Sequence, residues 1–206
     1  MGRKRKILIG KRRTQVLRNM AYRMGMDFSE EDDWGLLEYM RDFKLFRKGR
    51  KKKITNIMRN VDEWMEVDIR IFDYAYQRGK NDQKKTFRQT VFFVKSKKLG
   101  IPELFMKPET FFNMIGTYLG MQDIDFERYP QFSKQYLLQG DDEELVREAM
   151  SDEVLQFFTV EKNWTLEGVN YFLVFYRNNR LMDPRRINRF YKKGLKLHDM
   201  FVKSSF

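Results

Sequence analysis

An alternating pattern in the middle of the chain predicts two long antiparallel strands. In MEVDIRIFDYAYQ, Val67, Ile69 and Ile71 share one face, while Phe72 and Tyr74 share the other. The polar segment RGKNDQKK predicts a hairpin loop, and TFRQTVFFVKS returns with apolar residues on both faces. The segment GIPEL is expected to interrupt the sheet. Further strands are predicted at DFKLF, ITNIMRNV, SKQYLLQG, KNWTLEGV and NYFLVFYR.

Apolar residues at helical spacing predict helices on both sides of these strands. A first helix covers residues 14–24 and ends at Gly25, with a polar, basic face opposite its apolar stripe. Ser29 precedes an acidic turn and is expected to start a second helix. A third is expected from Pro108 to Gly120. The apolar stripe of the first helix consists of Val16, Leu17, Met20, Ala21 and Met24.

Capping residues mark three more helices in the last third of the chain. Asp141 is predicted as the N-cap of one, and Ser151 as the N-cap of the next. Asp183 and Pro184 have the N-cap and N1 pattern that begins a final helix. Strands and helices in this order favour an α+β fold, an antiparallel β-sheet with helices packed on one face.

The composition limits the domain organisation and the chemistry. The 206 residues are 42% hydrophobic and 16% aromatic, which suits one α+β domain over residues 26–206 after a basic N-terminal helical arm at 1–25. The chain has no cysteine and one histidine, which excludes disulfides, thiolate metal sites and multi-histidine sites. No stretch has the roughly 20 apolar residues that cross a bilayer. We therefore expect a cytoplasmic location, at most peripheral to a membrane.

Positive charge is concentrated in two segments. The net charge is +12, of which residues 1–23 carry +9 with no acid and residues 47–53 carry +6, leaving −3 on the other 176 residues. Such segments attract anionic lipid headgroups or RNA, and charge alone does not separate the two. The candidate partner-binding residues are Arg3, Lys4, Arg5, Lys6, Lys11, Arg12, Arg13, Arg18, Arg47, Lys48, Arg50, Lys51, Lys52 and Lys53.

Several stretches, in order along about residues 20–195, resemble a family of uncharacterised bacterial proteins, a domain of unknown function. Members of that family often carry N-terminal membrane segments followed by basic residues, whereas only Ile7-Leu8-Ile9 stands at that place here. The resemblance implies no established active site, so no catalytic residue is carried over. The similar stretches are NIMRN, FDYAY, RQTVFFVKS, LGIPELFMKPE, DIDFERYPQFSKQYLLQGDDE and WTLEGVNYFLVFYR.

Three carboxylates are the strongest catalytic candidates. Asp123, Asp125 and Glu127 would share one side of a strand, where they could hold a divalent metal or supply an acid and a base. Ile124 and Phe126 alternate with them, which a half-buried strand explains without chemistry. We favour the structural interpretation and keep a carboxylate-based, possibly metal-dependent hydrolase as the alternative.

Four other ionisable residues are weaker candidates. Glu103, Glu109 and Glu167 lie beside proline or glycine and could converge on a cleft, although helix-start and turn positions explain them equally well. His198 lies near the end of the last helix, where it suits the helix dipole.

A row of aromatic residues could act as a base-stacking platform. Phe72, Tyr74 and Tyr76 share one strand face and are interleaved with Arg70 and Arg78. Such a face is more often core beneath a helix, and we favour that interpretation.

The sequence therefore predicts a non-catalytic binding or structural module. Its basic N-terminal arm would dock onto an anionic partner, either a membrane surface or an RNA-containing assembly that includes other proteins. No cofactor or bound metal is expected. Because the apolar stripe begins at Val16, we also expect deletion of residues 1–13 to leave the fold intact.

Overall fold

Eight strands and seven α-helices make up the computed structural model, which describes residues 2–33, 35–80, 83–110 and 123–204, with side chains from Gly10 onward. The strands are β1 (Asp27–Glu31), β2 (Arg50–Asp62), β3 (Val67–Arg78), β4 (Lys85–Ser96), β5 (Ile101–Pro108), β6 (Tyr136–Gly140), β7 (Thr165–Asn170) and β8 (Phe172–Tyr176). The helices are α1 (Gly2–Arg23), α2 (Leu36–Tyr39), α3 (Lys44–Arg47), α4 (Pro130–Ser133), α5 (Glu143–Ala149), α6 (Asp152–Val160) and α7 (Ile187–Ser204), with a 3₁₀ turn at Pro184–Arg186.

The eight strands form one sheet in the order β1-β2-β3-β4-β8-β7-β5-β6, and every neighbouring pair is antiparallel. The long hairpin of β3 and β4 forms without interruption from Val67↔Ser96 to Arg78↔Lys85. This confirms the predicted α+β class, the antiparallel sheet and the helix that precedes it.

Alternation along the strands divides the apolar residues between two faces. Ile69, Ile71 and Phe92 belong to the larger core, which α1, α5, α6 and α7 cover. Leu17 and Ala21 of α1 are fully buried in that core, whereas Val16, predicted to join them, is 37% exposed. Helix α1 is thus packed on the sheet over its second half.

The second face of the sheet has its own, smaller core. Phe72, Tyr74 and Tyr76 are all buried there, covered by residues from α2, α3 and the turn between them. The predicted role as core is confirmed, and the base-stacking alternative is wrong because these rings are not accessible. Phe46 of α3 lies 4.6 Å from Tyr74, centroid to centroid.

Helix α7 lies close to the sheet because it has a glycine where it crosses β4. A Cβ atom added to Gly194 would lie 2.4 Å from ring carbons of Phe92. The ring instead packs in an edge-to-face arrangement with Phe190 at 6.2 Å.

Two local predictions in the first quarter of the chain are wrong. The segment DFKLF contains helix α3 rather than a strand, since its apolar residues cover the second sheet face in one helical turn. The helix expected to start at Ser29 begins later, as α2 at Leu36, because Ser29 lies in β1 and pairs with Ile57 of β2. The acidic turn caps a later helix instead: the Asp32 carboxylate accepts hydrogen bonds from the Leu36 and Leu37 amides, both at 2.8 Å.

The segment predicted to interrupt the sheet is part of β5, an inner strand between β6 and β7. The pairing with β7 shifts register between Ile101↔Asn170 and Leu104↔Gly168, and Pro102 lies within this irregularity. A bulge removes the need for the proline to donate a ladder hydrogen bond, so the strand continues past it. The helix expected from Pro108 to Gly120 does not start at Pro108, which is the last residue of β5, and residues 111–120 lie outside the described residues.

The C-terminal third follows its predicted pattern closely. Strands β7 and β8 pair through Thr165↔Tyr176. The Asp183 carboxylate accepts from the Arg185 amide at 3.0 Å and caps the 3₁₀ turn that leads into α7. One cap is displaced by a residue: Asp142, not Asp141, is the N-cap of α5, and its carboxylate accepts from the Leu145 amide at 3.1 Å.

We therefore expect the substitution Asp142→Ala to lower the free energy of unfolding by about 0.5–2 kcal/mol, because an orphan amide of α5 loses its acceptor. Urea denaturation measures the difference. Asp141→Ala is the matched control and should change stability by less than about 0.5 kcal/mol. Equal losses for the two variants would contradict this assignment of the cap.

Candidate anion-binding surface

Arg13 fixes α1 to the sheet through a forked ion pair with Asp73 of β3. Its Nε and Nη2 atoms donate to the two carboxylate oxygens at 2.7 and 2.8 Å, and its Nη1 donates to the Met182 carbonyl at 2.7 Å. Asn56 and Thr90 donate to the same carboxylate at 2.9 and 2.8 Å. Arg13 was a candidate for partner binding, but its charge is paired with the Asp73 carboxylate inside the protein.

The outer face of α1 carries the other described cations of the N-terminal segment. Lys11, Arg12 and Arg23 are exposed and form no ion pair with any residue that the structure describes. Arg18 is also exposed and pairs with Glu30 of β1. The predicted basic face of this helix is therefore present from residue 11 onward. Outside the described side chains lie Arg3, Lys4, Arg5 and Lys6.

The cations of the second basic segment, residues 47–53, lie in two different parts of the structure. Lys53 pairs with Glu31 at 2.9 Å, and with Arg13 it lines a cavity of about 350 Å³ beside α1. Arg50 donates to the Gly79 carbonyl at 2.7 Å. Arg47 and Lys51 are exposed, and Lys52 is half-buried.

Lys48 lies on the second face of the sheet and is half-buried. Its ammonium group lies 5.8 Å from the centre of the Phe105 ring. Burial lowers the pKa of Lys48, and the nearby Glu167 carboxylate opposes that change. Of this segment, Lys53 lines the cavity next to α1, whereas Lys48 lies on the opposite face of the sheet.

Glu167 is a structural residue of the second face. It is only 3% exposed and accepts hydrogen bonds from the Lys44 and Leu45 amides at 2.5 and 3.0 Å and from the Tyr176 hydroxyl at 2.9 Å. Burial raises the pKa of its carboxyl group, while Lys48 and these donors oppose the rise. Glu167 thereby attaches the start of α3 to β7. Glu103, which could have converged with Glu167 on a cleft, is exposed instead.

The three carboxylate candidates lie at the surface beside β6. Asp123 and Asp125 are exposed, and the Asp123 carboxylate accepts from the Leu138 amide of β6 at 2.8 Å. Burial raises the pKa of Asp123, as do the charges of Asp125 and Glu109. Ile124 is 3% exposed, as the alternation predicted, although the segment runs beside β6 without forming a regular strand.

No group of three potential metal ligands occurs among residues 2–33, 35–80, 83–110 and 123–204. Glu127 is exposed and lines a groove with Arg128 and Arg147. His198 is buried in α7, and its Nδ1 atom lies 3.0 Å from Asp199 Oδ1.

A third basic segment adjoins α1 and was not singled out in the sequence. Residues 177–196 contain eight lysines and arginines and a single acid, Asp183. The net charge of all residues outside the first two segments is −3, so that total does not reveal this local excess of positive charge. The 3₁₀ turn of this segment contacts α1, and Arg13 donates to the carbonyl of Met182. A charge count in short windows would have found it.

Comparison with known proteins identifies a shared fold. No protein-family model matches this chain, and no curated protein matches it. The crystal structure of the mycobacterial trehalose monomycolate transport factor A, TtfA, is similar, with a TM-score of 0.61 and 11% sequence identity over 93% of each chain. A likeness at this identity establishes the fold and leaves the function open. In the part of the chain that is described, no helix is both long and apolar enough to cross a membrane.

Proposed function

We propose that this protein is a non-catalytic docking module that binds an anionic membrane surface through the outer face of α1. The observation that carries the proposal is the attachment of α1 by Arg13. The fork to Asp73 holds this helix against the sheet, so the backbone that carries the exposed cations Lys11, Arg12 and Arg23 is fixed on one surface.

A helix already attached to the sheet favours binding because its backbone loses little conformational freedom when it meets a charged surface. Each lysine or arginine near an anionic bilayer contributes about 1 kcal/mol to binding. The exposed cations of residues 177–196, next to α1, extend the positive region. Arg180, Arg186 and Arg189 are exposed and form no ion pair with the described residues.

Lipid is favoured over RNA by the placement of the aromatic residues. The strand aromatics that would have stacked on bases are buried, whereas α1 exposes Tyr22 by 86% and Val16 by 37% beside its cations. A tyrosine and an aliphatic side chain next to basic residues are typical of helices that lie at a membrane interface.

The fold is compatible with an accessory role. TtfA, which shares it, is named as a transport factor rather than as an enzyme. Two buried carboxylates have structural partners: Asp73 pairs with Arg13, and Glu167 accepts from backbone amides of α3. The family resemblance over residues 20–195 belongs to the same proposal, because its members often carry membrane segments before the equivalent domain.

Vesicle co-sedimentation tests the proposal. We expect the full-length protein to bind vesicles of phosphatidylserine and phosphatidylcholine and not vesicles of phosphatidylcholine alone. Binding should weaken between about 50 and 300 mM salt, because exposed charges are screened over about 8 Å at physiological ionic strength. The triple variant Lys11→Gln, Arg12→Gln, Arg23→Gln should lose at least tenfold in affinity, since three contributions of about 1 kcal/mol are removed.

The control variant removes the same charge elsewhere, as Lys98→Gln, Lys134→Gln, Lys203→Gln, at three exposed positions outside α1. It should keep nearly all of the affinity. Equal losses in the two variants would show that net charge, and not α1, drives binding. Tighter binding to a single-stranded RNA oligonucleotide than to the anionic vesicles would assign the surface to nucleic acid and overturn the membrane proposal.

A further inference from the structure

A second basic site lies between the end of β8 and α7, apart from the outer face of α1. It is a cavity of about 190 Å³. Three cationic residues of the cavity are Arg177, Arg186 and Arg189, and a fourth, Lys193, is paired with Glu161. Its other lining residues are Trp164, Met182 and Phe190.

Arg177 is placed as an anion ligand within this cavity. Its guanidinium group lies 4.2 Å from the centre of the Trp164 ring, and its Nη2 atom donates to the Lys162 carbonyl at 3.1 Å. Its Nε atom is buried and has no hydrogen-bond partner among the described residues. Burial lowers the pKa of Arg177, and the charges of Arg180 and Arg186 add to the decrease. An anion in the cavity would relieve this crowding of like charges.

An open groove of about 580 Å³ between α6 and α7 continues from the cavity and shares Glu161, Arg189 and Lys193 with it. Its apolar side is formed in part by Val160, which is 77% exposed, and by half-buried Phe157. Lys192 and Lys196 lie along the other side, and their methylene stems can cover an apolar chain while their charges stay in water.

We propose that the cavity and groove together bind a single-chain amphiphile with a phosphate head. The head would occupy the cavity near Arg177, Arg186 and Arg189, and the alkyl chain would lie along the groove against Phe157 and Val160. Four cations against Glu161 leave a local excess of about three charges. A phosphate monoester, with a charge of about −1.5 to −2, matches that excess better than a carboxylate, and arginine forks match its oxygens.

The inference can be tested apart from membrane docking by α1, because none of Lys11, Arg12 and Arg23 lines the cavity or the groove, although Arg186 and Arg189 belong to the positive region next to α1. The two can fail separately. Loss of vesicle binding in the α1 variant would leave the amphiphile site unaffected.

Isothermal titration calorimetry with decyl phosphate, kept below its critical micelle concentration, tests this site on the full-length protein. We expect one molecule to bind per chain. Each methylene that is buried raises affinity about fourfold, so butyl phosphate should bind at least tenfold more weakly. Inorganic phosphate should bind more weakly still, and decyltrimethylammonium should not bind.

The double variant Arg186→Gln, Arg189→Gln should reduce affinity for decyl phosphate at least tenfold, because both residues are exposed cations of the cavity. The matched control Lys134→Gln, Lys203→Gln removes the same charge elsewhere and should bind as the unmodified protein does. Equal affinity for inorganic and decyl phosphate would reduce the site to a simple anion site and overturn the proposal. Unchanged affinity in the arginine variant, or binding of the cationic amphiphile, would also overturn it.

Discussion

Replacing Arg13 with methionine is expected to lower the free energy of unfolding by about 3–5 kcal/mol. The substitution keeps an apolar stem of similar length but leaves the Asp73 carboxylate, whose side chain is 9% exposed, without its counter-charge. Asn56 and Thr90 would still donate to Asp73, but they are neutral. Removing one partner of a buried ion pair costs more than the pair contributes, because the remaining charge stays desolvated.

Urea or thermal denaturation followed by circular dichroism measures the loss. Arg12→Met is the matched control: it removes an exposed cation from the same turn of α1 and should change stability by less than about 0.5 kcal/mol. The double variant Arg13→Met, Asp73→Asn should recover part of the loss, since no unpaired charge then remains. An Arg13→Met protein as stable as the Arg12→Met protein would contradict the anchoring role of the fork.

The Arg13–Asp73 ion pair also determines which N-terminal deletion can remove basic residues without destabilising the fold. The expectation that residues 1–13 could be removed without loss of stability considered only the apolar stripe of α1. That deletion would remove Arg13 and leave Asp73 unpaired, so we now expect it to destabilise the fold. A deletion that ends at residue 9 keeps the fork and is the appropriate test of the N-terminal segment.

The elements that could be predicted from the sequence are those that local patterns determine. The alternation in β3 and β4 and the cap at Asp183 specify structure within a few residues, and both predictions are confirmed. The wrong predictions concern segments whose structure depends on distant partners. Strand β1 exists because β2 pairs with it, and α3 exists because the second sheet face needs a cover. Pro102 can lie within β5 because the pairing of β5 with β7 shifts register there.

In the candidate anion-binding surface, too, local patterns predict some features, and others depend on residues that are distant in the sequence. The basic outer face of α1 follows from helical spacing and is present from Lys11 onward. The contact of Arg13 with Asp73 spans 60 residues along the chain, so nothing in the local sequence distinguishes Arg13 from its exposed neighbour Arg12. The cavity around Arg177 depends on how β8 and α7 pack together. A count of charges along the sequence can show that cations are concentrated there, but it cannot locate the cavity.

The second large effect is expected at the buried carboxylate of the smaller core. Glu167→Met should lower the free energy of unfolding by about 3 kcal/mol or more. The variant keeps the length of the side chain but offers no oxygen to the Lys44 and Leu45 amides or to the Tyr176 hydroxyl. Each buried donor left without an acceptor costs about 1–3 kcal/mol, and removal of the desolvated carboxylate offsets part of that total.

Intermediate variants separate the hydrogen bonds from the charge. Glu167→Gln retains one acceptor oxygen but presents its amide group to a donor, so its loss should lie between those of the unmodified protein and Glu167→Met. Glu103→Gln, at an exposed position of β5, is the control and should be neutral. Amide hydrogen exchange should also become faster at Lys44 and Leu45 in Glu167→Met, because these amides lose their acceptor. Unchanged exchange at both positions, or unchanged stability, would show that α3 is held by the packing of Leu45 and Phe46 alone and that the carboxylate has no anchoring role.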